Sequence, residues 1–407
     1  MIINIAFLSP TPVFNGDSGW SSIRKNLVIT LNSTRSSRLN TVVFSFGEKD
    51  AEISRKHYRE YVFKNHGFIG NRDIHVKVAE YVSLFLLGSS YTYFSRNSST
   101  KFTDSLLDFK PDIIIASYET IDIAKKYNKT GNRAKIISVT DDYNQISQYM
   151  DSIRSKIEKK NVFEKFFYGL GVETVGKRFI SFLTEKYESM LKYSDYVVLF
   201  TEKGITTSRK TYPEFAQKFV SIPPPLISVR LLKNVKVAKK VRKVLFLGTC
   251  GYPPNDEAVE KIRTEIAPDM KSLRFILAGK NCRIYKDGNV ESLGFVKNLN
   301  SLMRDVDICI APIFYGGGIK TKILSYFAAG KPVIATSMAL EGFGVKNGIN
   351  AIVADSISEY KTAIKKLSDD IKLRRTISEN AAKLVSGFSD RAVRSQWLLL
   401  LDKIMDR

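Results

Sequence analysis

Short apolar runs recur along this chain, and each is followed by polar or glycine-containing residues and then by a segment with helical spacing. The runs have the length of buried strands, and the spacing after them is typical of amphipathic helices. Strands that alternate with helices predict an α/β fold built on parallel sheets. The predicted strands are Ile2 to Leu8, Thr41 to Phe46, Asp112 to Ser117, Lys135 to Thr140, Tyr196 to Glu202, Val244 to Leu247, Leu273 to Gly279, Val306 to Ala311 and Val333 to Thr336.

The stretch from Tyr315 to Pro332 is the one around which the rest of the pattern is organised. It follows a predicted strand, opens with three glycines and continues with four apolar residues on one helical face. Gly330 and Pro332 end the helix before the next strand begins. The four apolar residues are Ile319, Ile323, Leu324 and Phe327.

This order of strand, glycine loop and helix suggests an anion site. Glycines let a ligand approach the backbone, and the free N–H groups at a helix start favour phosphate. Lys320 and Lys322 fall in the predicted first turn, where cations oppose the helix dipole unless an anion is bound. The alternative is a tight turn with two solvated lysines. The spacing matches neither the Walker motif nor the dinucleotide-binding glycine motif.

The segment GGGIKTKILSYFAAGKPVIAT resembles the donor-binding segment of GT-B retaining glycosyltransferases of family four, the glycosyl transferases group 1. Further segments resemble that family in the same order. They are Val244 to Thr249 with Tyr252 to Asn255, Leu273 to Gly279, Leu293 to Val296 and Leu340 to Gly342. The resemblance is strong over about residues 240–390 and loose in the N-terminal half.

The chain has 407 residues, more than one ordinary core accommodates. The resemblance implies a GT-B fold, in which two Rossmann-like domains face a central cleft. We expect residues 1–225 to form the acceptor-binding domain, residues 226–390 the donor-binding domain, and residues 391–407 a helix that returns to the first domain. The apolar positions of that helix are Val393, Trp397, Leu400, Leu401 and Ile404.

The resemblance also implies a reaction. A sugar would pass from a nucleotide-diphosphate sugar to a hydroxyl of a glycan or lipid-linked acceptor, with retention, in bacterial surface-polysaccharide or lipopolysaccharide synthesis. The family needs no metal and no other cofactor, so catalysis would consist of stabilising the leaving diphosphate and positioning the acceptor. The donor-binding residues carried over are Gly19, Gly248, Thr249, Gly251, Asn255, Gly316, Gly317, Gly318, Lys320, Thr321, Lys322 and Ser325.

Asp142, Glu341 and Lys320 are the candidate catalytic residues. Asp142 follows a predicted strand, where it orients the acceptor hydroxyl, takes its proton, or instead caps a helix. Glu341 lies in the loop after the strand Val333 to Thr336, and it either contacts the donor sugar or forms a salt bridge within its loop.

Gly19 and Ser18 lie in the loop after the first strand, which faces the donor in GT-B enzymes. The alternative is an ordinary turn with Ser22 as the cap of the next helix. Ile23, Leu27 and Leu31 would form the buried face of that helix. These assignments depend on the resemblance, because a glycine-containing turn after a strand is common.

Two positions depart from the family pattern. An Arg and a Lys that hold the donor diphosphate in the wider family have no counterpart here, where Thr249, Cys250 and Tyr252 occupy the region. The two lysines of the glycine loop are expected to neutralise the charge instead. Ser325 stands where the family has a Glu that binds the ribose, a loss of about 1–2 kcal/mol of charge-assisted hydrogen bonding. Weaker donor binding, an unusual donor or an inactive protein would follow.

The net charge of +22 implies attraction to polyanions such as nucleic acid, anionic lipid or phosphorylated substrates. Residues 81–94 and 162–179 mix aromatic with basic side chains, which suits either an anionic membrane surface or packing on the N-terminal core. No nucleic-acid motif occurs, so nucleic acid is not an expected partner.

Cys250, Cys282 and Cys309 each lie in or beside an apolar strand, and we expect all three to be reduced. Reduced cysteines favour the cytoplasm, and no apolar run is long enough to cross a membrane. The cysteines lack the spacing of metal ligands and the three histidines are confined to one stretch, so no metal site is predicted.

Two other classes of function remain open. Ser325 is compatible with a catalytically degenerate GT-B protein that acts as a binding or regulatory module. The net charge is compatible with a basic membrane- or nucleic-acid-binding protein.

Overall fold

The computed structural model consists of two compact units, each built on its own sheet. The first unit comprises Met1–Pro225 with Val393–Arg407, and the second comprises Leu226–Ala392. The residues that the structure describes are 2–10, 13, 19–32, 39–47, 51–55, 58–64, 96–140, 184–225, 237–316 and 318–405. The aromatic and basic stretches 81–94 and 162–179 lie outside them.

The first sheet has eight strands in the order β3-β4-β2-β1-β5-β6-β7-β8. Neighbouring strands are parallel, except that β3 runs antiparallel to β4. The strands are β1 (Ile3–Ser9), β2 (Leu39–Gly47), β3 (Ala51–Arg55), β4 (Tyr58–Lys64), β5 (Ile113–Ala116), β6 (Lys135–Val139), β7 (Tyr196–Leu199) and β8 (Phe219–Ser221). The central strands are buried on both faces, which is why they appear in the sequence as continuous apolar runs.

The described helices of this unit before the interdomain segment are α1 (Gly19–Asn32), α2 (Arg96–Phe109), α3 (Ile121–Lys129), α4 (residues 184–193) and α5 (Glu202–Thr211), followed by a 3-10 turn at Pro213–Lys218. The predicted buried face of α1 is confirmed, since Ile23, Leu27 and Leu31 are all buried. Ser22 lies inside α1, which begins at Gly19, so the interpretation of Ser22 as its cap is wrong.

The second sheet has seven strands in the order β11-β12-β10-β9-β13-β14-β15, parallel except for β11 against β12. They are β9 (Lys243–Leu247), β10 (Arg274–Ala278), β11 (Ile284–Asp287), β12 (Val290–Leu293), β13 (Ile308–Ala311), β14 (Val333–Ala335) and β15 (Ile352–Val353). Counting only the parallel strands, this is the 3-2-1-4-5-6 order of a doubly wound sheet. The strand order reverses between β9 and β13, where such sheets bind ligands at their carboxyl edge.

The described helices of the second unit are α6 (Pro253–Lys261, continued by a π turn at Ile262–Ile266 and a 3-10 turn at Ala267–Asp269), α7 (Leu299–Asp305), α8 (Thr321–Ala328), α9 (Ile357–Asp369) and α10 (Ile371–Leu384), followed by a 3-10 turn at Val385–Phe388. The chain then forms α11 (Asp390–Met405), whose residues from Val393 onward belong to the first unit. All five predicted apolar positions of α11 are buried. The predicted α/β class with two Rossmann-like sheets is confirmed.

The expectation of three reduced cysteines is wrong. Cys250 and Cys282 form a disulfide, and Cys309 is a free, buried thiol. The two paired residues follow β9 and β10, which are adjacent in the sheet, so their loops leave the same edge. The cysteines therefore give no support to a cytoplasmic location. None of the described helices is long and apolar enough to cross a membrane.

Candidate functional site

Two loops meet where the strand order of the second sheet reverses. One follows β9 and the other follows β13. A Cβ atom at Gly316 would lie 3.3 Å from the Tyr252 hydroxyl and 3.3 Å from Cγ of Pro254, so the loops are in close contact there. Gly316 also has a φ of +97°, which glycine adopts far more readily than other residues. The site predicted from the glycine loop therefore lies at the ligand-binding edge of the sheet.

Lys322 is a basic group of this edge whose ammonium is held by two contacts. Its ammonium lies 2.6 Å from Oδ1 of Asn255, whose Nδ2 donates to the carbonyl of Thr249 at 2.9 Å. The ammonium also lies 4.3 Å from the centre of the Phe246 ring, a cation–π distance. Three predicted donor-binding residues, Lys322, Asn255 and Thr249, are thus joined in one hydrogen-bonded chain.

The charge of Lys322 is poorly compensated. No carboxylate among the described residues forms an ion pair with it. Burial, and then repulsion by the Lys320 ammonium, lower the pKa of Lys322 to about 7. A nearby anion would raise this pKa again, because it would favour the charged ammonium. The site is therefore suited to a negatively charged ligand.

The side chain of Lys320 forms hydrogen bonds with the backbone of the glycine loop. It lies immediately before α8 rather than in its first turn, and its ammonium donates to the carbonyls of Gly316 at 2.6 Å and Gly318 at 2.8 Å. Gly318 has a φ of +71°. Gly317 lies outside the described residues. In this conformation Lys320 stabilises the loop and stands beside Lys322 as a second positive charge.

The predicted glycines of the loop after β9 are also at the site. The N–H of Gly248 donates to the carbonyl of Ala278 at 3.0 Å, and a Cβ at Gly248 would lie only 2.9 Å from Cγ of Asn255. The N–H of Gly251 donates to Oδ1 of Asp256 at 2.9 Å. The first hydrogen bond ties this loop to the end of β10, and the second ties it to the start of α6.

Ser325 is turned towards its own helix. It is 6% exposed, and its hydroxyl donates to the carbonyl of Thr321, the first residue of α8, at 3.3 Å. The side chain that replaces the family's Glu is therefore occupied by a local hydrogen bond, as is common for serine in helices.

The remaining predicted residues that the structure describes belong to other elements. Glu341 is half-buried in the turns after β14, and its backbone N–H donates to Met338 at 3.4 Å. Gly19 begins α1 in the first unit. Asp142 and Ser18 lie outside the described residues.

Two residues that hold neighbouring elements together, one in each unit, were not identified from the sequence. The hydroxyl of Tyr326 accepts from the N–H of Leu247, the last residue of β9, at 2.7 Å and so ties α8 to that strand. Burial raises the pKa of this phenol well above its ordinary value. A tyrosine among the apolar residues of this helix was the available signal, since a buried hydroxyl requires a partner.

The second group is in the first unit. Glu60 on β4 is 0% exposed, and its Oε1 accepts from the N–H of Val13 at 2.7 Å and from the Ser45 hydroxyl at 2.6 Å. Val13 belongs to the loop between β1 and α1, so a buried carboxylate anchors that loop. Among the described residues, no cluster of His, Cys, Asp or Glu could hold a metal ion.

Residues 241–370 match the family model described as Glycosyl transferases group 1. The match covers the second sheet and both loops of the site, about a third of the chain. No curated protein matches the sequence.

Solved structures resemble the chain over nearly its whole length. The sucrose-phosphate synthase of Thermosynechococcus elongatus has a TM-score of 0.71 at 13% identity, with 99% of each chain covered. HepE of Anabaena, in complex with UDP and glucose, has a TM-score of 0.61 at 13% identity, covering 98% of this chain and 100% of that one. A trehalose-6-phosphate protein of E. coli, bound with UDP-2-fluoro glucose, has a TM-score of 0.61 at 10% identity and 98% coverage of each chain. These likenesses show the fold, and the predicted GT-B class is confirmed.

Proposed function

We propose that this chain is a glycosyltransferase that binds a nucleotide-diphosphate sugar at the edge formed by Gly316 to Lys322. The observation that carries the proposal is the Lys322 ammonium, which is held by Asn255, lacks an ion-pair partner among the described residues, and lies beside Lys320. A donor diphosphate would supply the missing negative charge. The match of residues 241–370 to a glycosyltransferase family supports the same assignment.

The chemistry follows from the kind of groups present. A sugar leaves its nucleotide with negative charge developing on the diphosphate, and prearranged cations and N–H groups stabilise that charge in the transition state. Lys322 and the amides at the start of α8 would do this, with Lys320 adding a second positive charge. In this proposal these groups, rather than a metal ion, neutralise the leaving diphosphate, and the sugar is transferred with retention.

The nucleotide and acceptor are narrower proposals. HepE and the E. coli protein were solved with UDP-containing ligands, so UDP-sugars are the first donors to test. We propose a hydroxyl of a glycan or lipid-linked acceptor, in cell-surface polysaccharide synthesis, because the sequence resembles enzymes of that kind. A cytoplasmic location and attachment to an anionic membrane through residues 81–94 and 162–179 remain parts of this proposal.

Thermal unfolding in the presence of UDP, GDP, ADP, CMP and their sugars tests the donor site. A ligand at a hundred times its Kd stabilises the folded protein by about 2.7 kcal/mol, so one nucleotide series should raise the Tm by several degrees. The double variant Lys320→Ala/Lys322→Ala should lose that shift. The matched control is Lys365→Ala/Lys366→Ala, which removes two exposed lysines of α9 and should keep it. A shift that survives in the first variant would place the nucleotide elsewhere.

Ser325 favours one alternative function. Because its hydroxyl is bonded to Thr321 and no Glu occupies the position, the protein could bind a nucleotide sugar without transferring it. Release of free nucleotide from UDP-glucose, with or without sugar acceptors, separates the two functions. Binding without any turnover would favour the binding or regulatory module.

A further inference from the structure

The disulfide between Cys250 and Cys282 joins two loops of the second unit. Cys250 follows β9, Cys282 follows β10, and these strands are parallel neighbours. Both loops therefore leave the carboxyl edge of the sheet, where the candidate donor site lies. The transfer of a sugar makes no use of this pair.

The two loops are already in contact through their backbones. The N–H of Cys250 donates to the carbonyl of Lys280 at 2.9 Å. A Cβ at Gly279 would lie 1.8 Å from the carbonyl oxygen of Gly248, a separation that only glycine allows. Because these contacts do not involve the sulfur atoms, the sheet edge should stay folded when the disulfide is broken. What the disulfide adds is a covalent limit on how far the loop after β9 moves.

Cys250 is linked to the basic group of the donor site through its neighbour in the chain. Its neighbour Thr249 accepts from Asn255, and Asn255 accepts from Lys322. On its other side, Tyr252 contacts Gly316 of the glycine loop. A displacement of Cys250 is therefore passed to Lys322 through two hydrogen bonds.

The two paired cysteines differ from the third in their exposure to solvent. Cys250 and Cys282 are partly exposed, whereas Cys309 is completely buried. Burial also raises the pKa of the Cys309 thiol, which keeps it protonated and unreactive. A dissolved dithiol can therefore attack the disulfide while Cys309 takes no part.

We propose that Cys250 and Cys282 form a thiol–disulfide exchange site that controls the affinity for the nucleotide donor, an inference that rests on the proposed function. One thiolate of a dithiol reductant attacks a sulfur of the pair, the S–S bond breaks, and a mixed disulfide forms. The second thiol of the reductant then displaces the other cysteine. Two electrons and two protons pass to Cys250 and Cys282, which become thiols, and the reductant becomes a disulfide.

The direction of the effect follows from the contacts. The Sγ of Cys282 lies 3.3 Å from the carbonyl of Gly248, so after reduction its thiol has an acceptor at hand, while Cys250 is released. Release of Cys250 loosens Thr249 and, through it, Asn255 and Lys322. A less ordered site binds its ligand more weakly, since more ordering is needed on binding. We expect the Kd for the nucleotide to rise about three- to tenfold on reduction.

Calorimetric titration of the full chain with UDP, GDP and ADP, before and after treatment with dithiothreitol, tests the inference. Alkylation after denaturation reports the redox state. One of the three cysteines should react in the oxidised protein and all three after reduction. The weaker binding should be reversed when the disulfide is restored.

Variants separate this site from a general effect of the reductant. The Kd of Cys250→Ser/Cys282→Ser for the nucleotide should equal that of the reduced protein and should not change with dithiothreitol. The Kd of Cys309→Ala should still rise on reduction. Equal Kd values in the two states, or three reactive cysteines in the oxidised protein, would overturn the inference and leave the proposed function standing. If none of the three nucleotides binds in either state, both fail.

Discussion

The ammonium of Lys322 lies between an amide oxygen and an aromatic ring, in a place where it titrates near neutral pH. A lysine on an exposed surface would keep its charge well into the alkaline range. Lys322 carries its charge at this site only when the pH is low enough or when a bound anion raises its pKa. Binding of an anion and binding of a proton by Lys322 are therefore coupled.

Affinity for UDP-glucose should fall as the pH rises from about 6 to about 9. An anion raises the pKa of Lys322 from about 7, so above that pH the complex must take up a proton that the free protein lacks. The limit is about tenfold in Kd per pH unit. Calorimetry across this range at constant ionic strength measures it. UDP-glucose is preferred to UDP because its diphosphate has no terminal phosphate to titrate.

Lys322→Met is the control for this pH dependence. The variant should bind more weakly at about pH 6 and show little change of affinity towards about pH 9. The folding stability of the free protein depends on pH in the opposite direction to the affinity. Since the unfolded chain keeps the proton of Lys322 above pH 7 and the folded chain does not, this residue's contribution to stability rises with pH from about 7 to the ordinary lysine value. A wild-type Kd independent of pH would contradict the assignment of Lys322.

At the scale of secondary structure, the elements that the sequence predicted well are those with an uninterrupted apolar pattern. β9, β10 and β13 lie within two residues of their predicted bounds, because strands buried on both faces must be apolar throughout. β3 and β4 were missed. β4 contains Arg59 and Glu60 side by side and ends in Lys64, so its sequence lacks the uninterrupted apolar run of a buried strand.

The candidate site, too, was predicted only where a local sequence pattern identifies its residues. The glycine loop and Lys322 were predicted from a local pattern and a family resemblance. The contact of Lys322 with Asn255 joins residues 67 positions apart and depends on β9 and β13 being neighbours in the sheet. The disulfide likewise depends on the adjacency of β9 and β10. Strand order is a property of the folded sheet, so neither contact could be predicted from the spacing of residues along the sequence alone.

Glu60 is the residue through which β4 supports the loop after β1. Glu60→Ala should destabilise the protein by about 2–4 kcal/mol, because the N–H of Val13 and the hydroxyl of Ser45 each lose a buried acceptor. Urea unfolding measures the change. Glu52→Ala on the neighbouring strand β3 removes an exposed carboxylate and should change stability by less than about 0.5 kcal/mol. Similar losses in both variants would contradict a special role of Glu60.

At the scale of the whole molecule, α11 completes the first unit although it follows the second unit in sequence. Trp397 in this helix is 1% exposed, and Leu399, two residues later, is 70% exposed. Trp397→Ala should cost about 3–5 kcal/mol through lost burial and a cavity, whereas Leu399→Ala should be nearly neutral.

Hydrogen exchange followed by mass spectrometry locates the effect of Trp397→Ala. Faster exchange is expected in β1, β5, β6 and β7, with β9, β10 and β13 protected as in the unchanged protein, because domains tend to open as separate units. Loss of protection in the second sheet alone would contradict the placement of α11 in the first unit.

The division of the first unit into two segments has a consequence for biosynthesis. A chain emerges from the ribosome in sequence order, and domains tend to fold as they become complete. The second unit is one continuous segment and can close as soon as residue 392 has emerged. The first unit must wait for Val393–Arg407, which supplies the buried side chains of α11. Of the two units, the one whose synthesis begins first is therefore the one that is completed second.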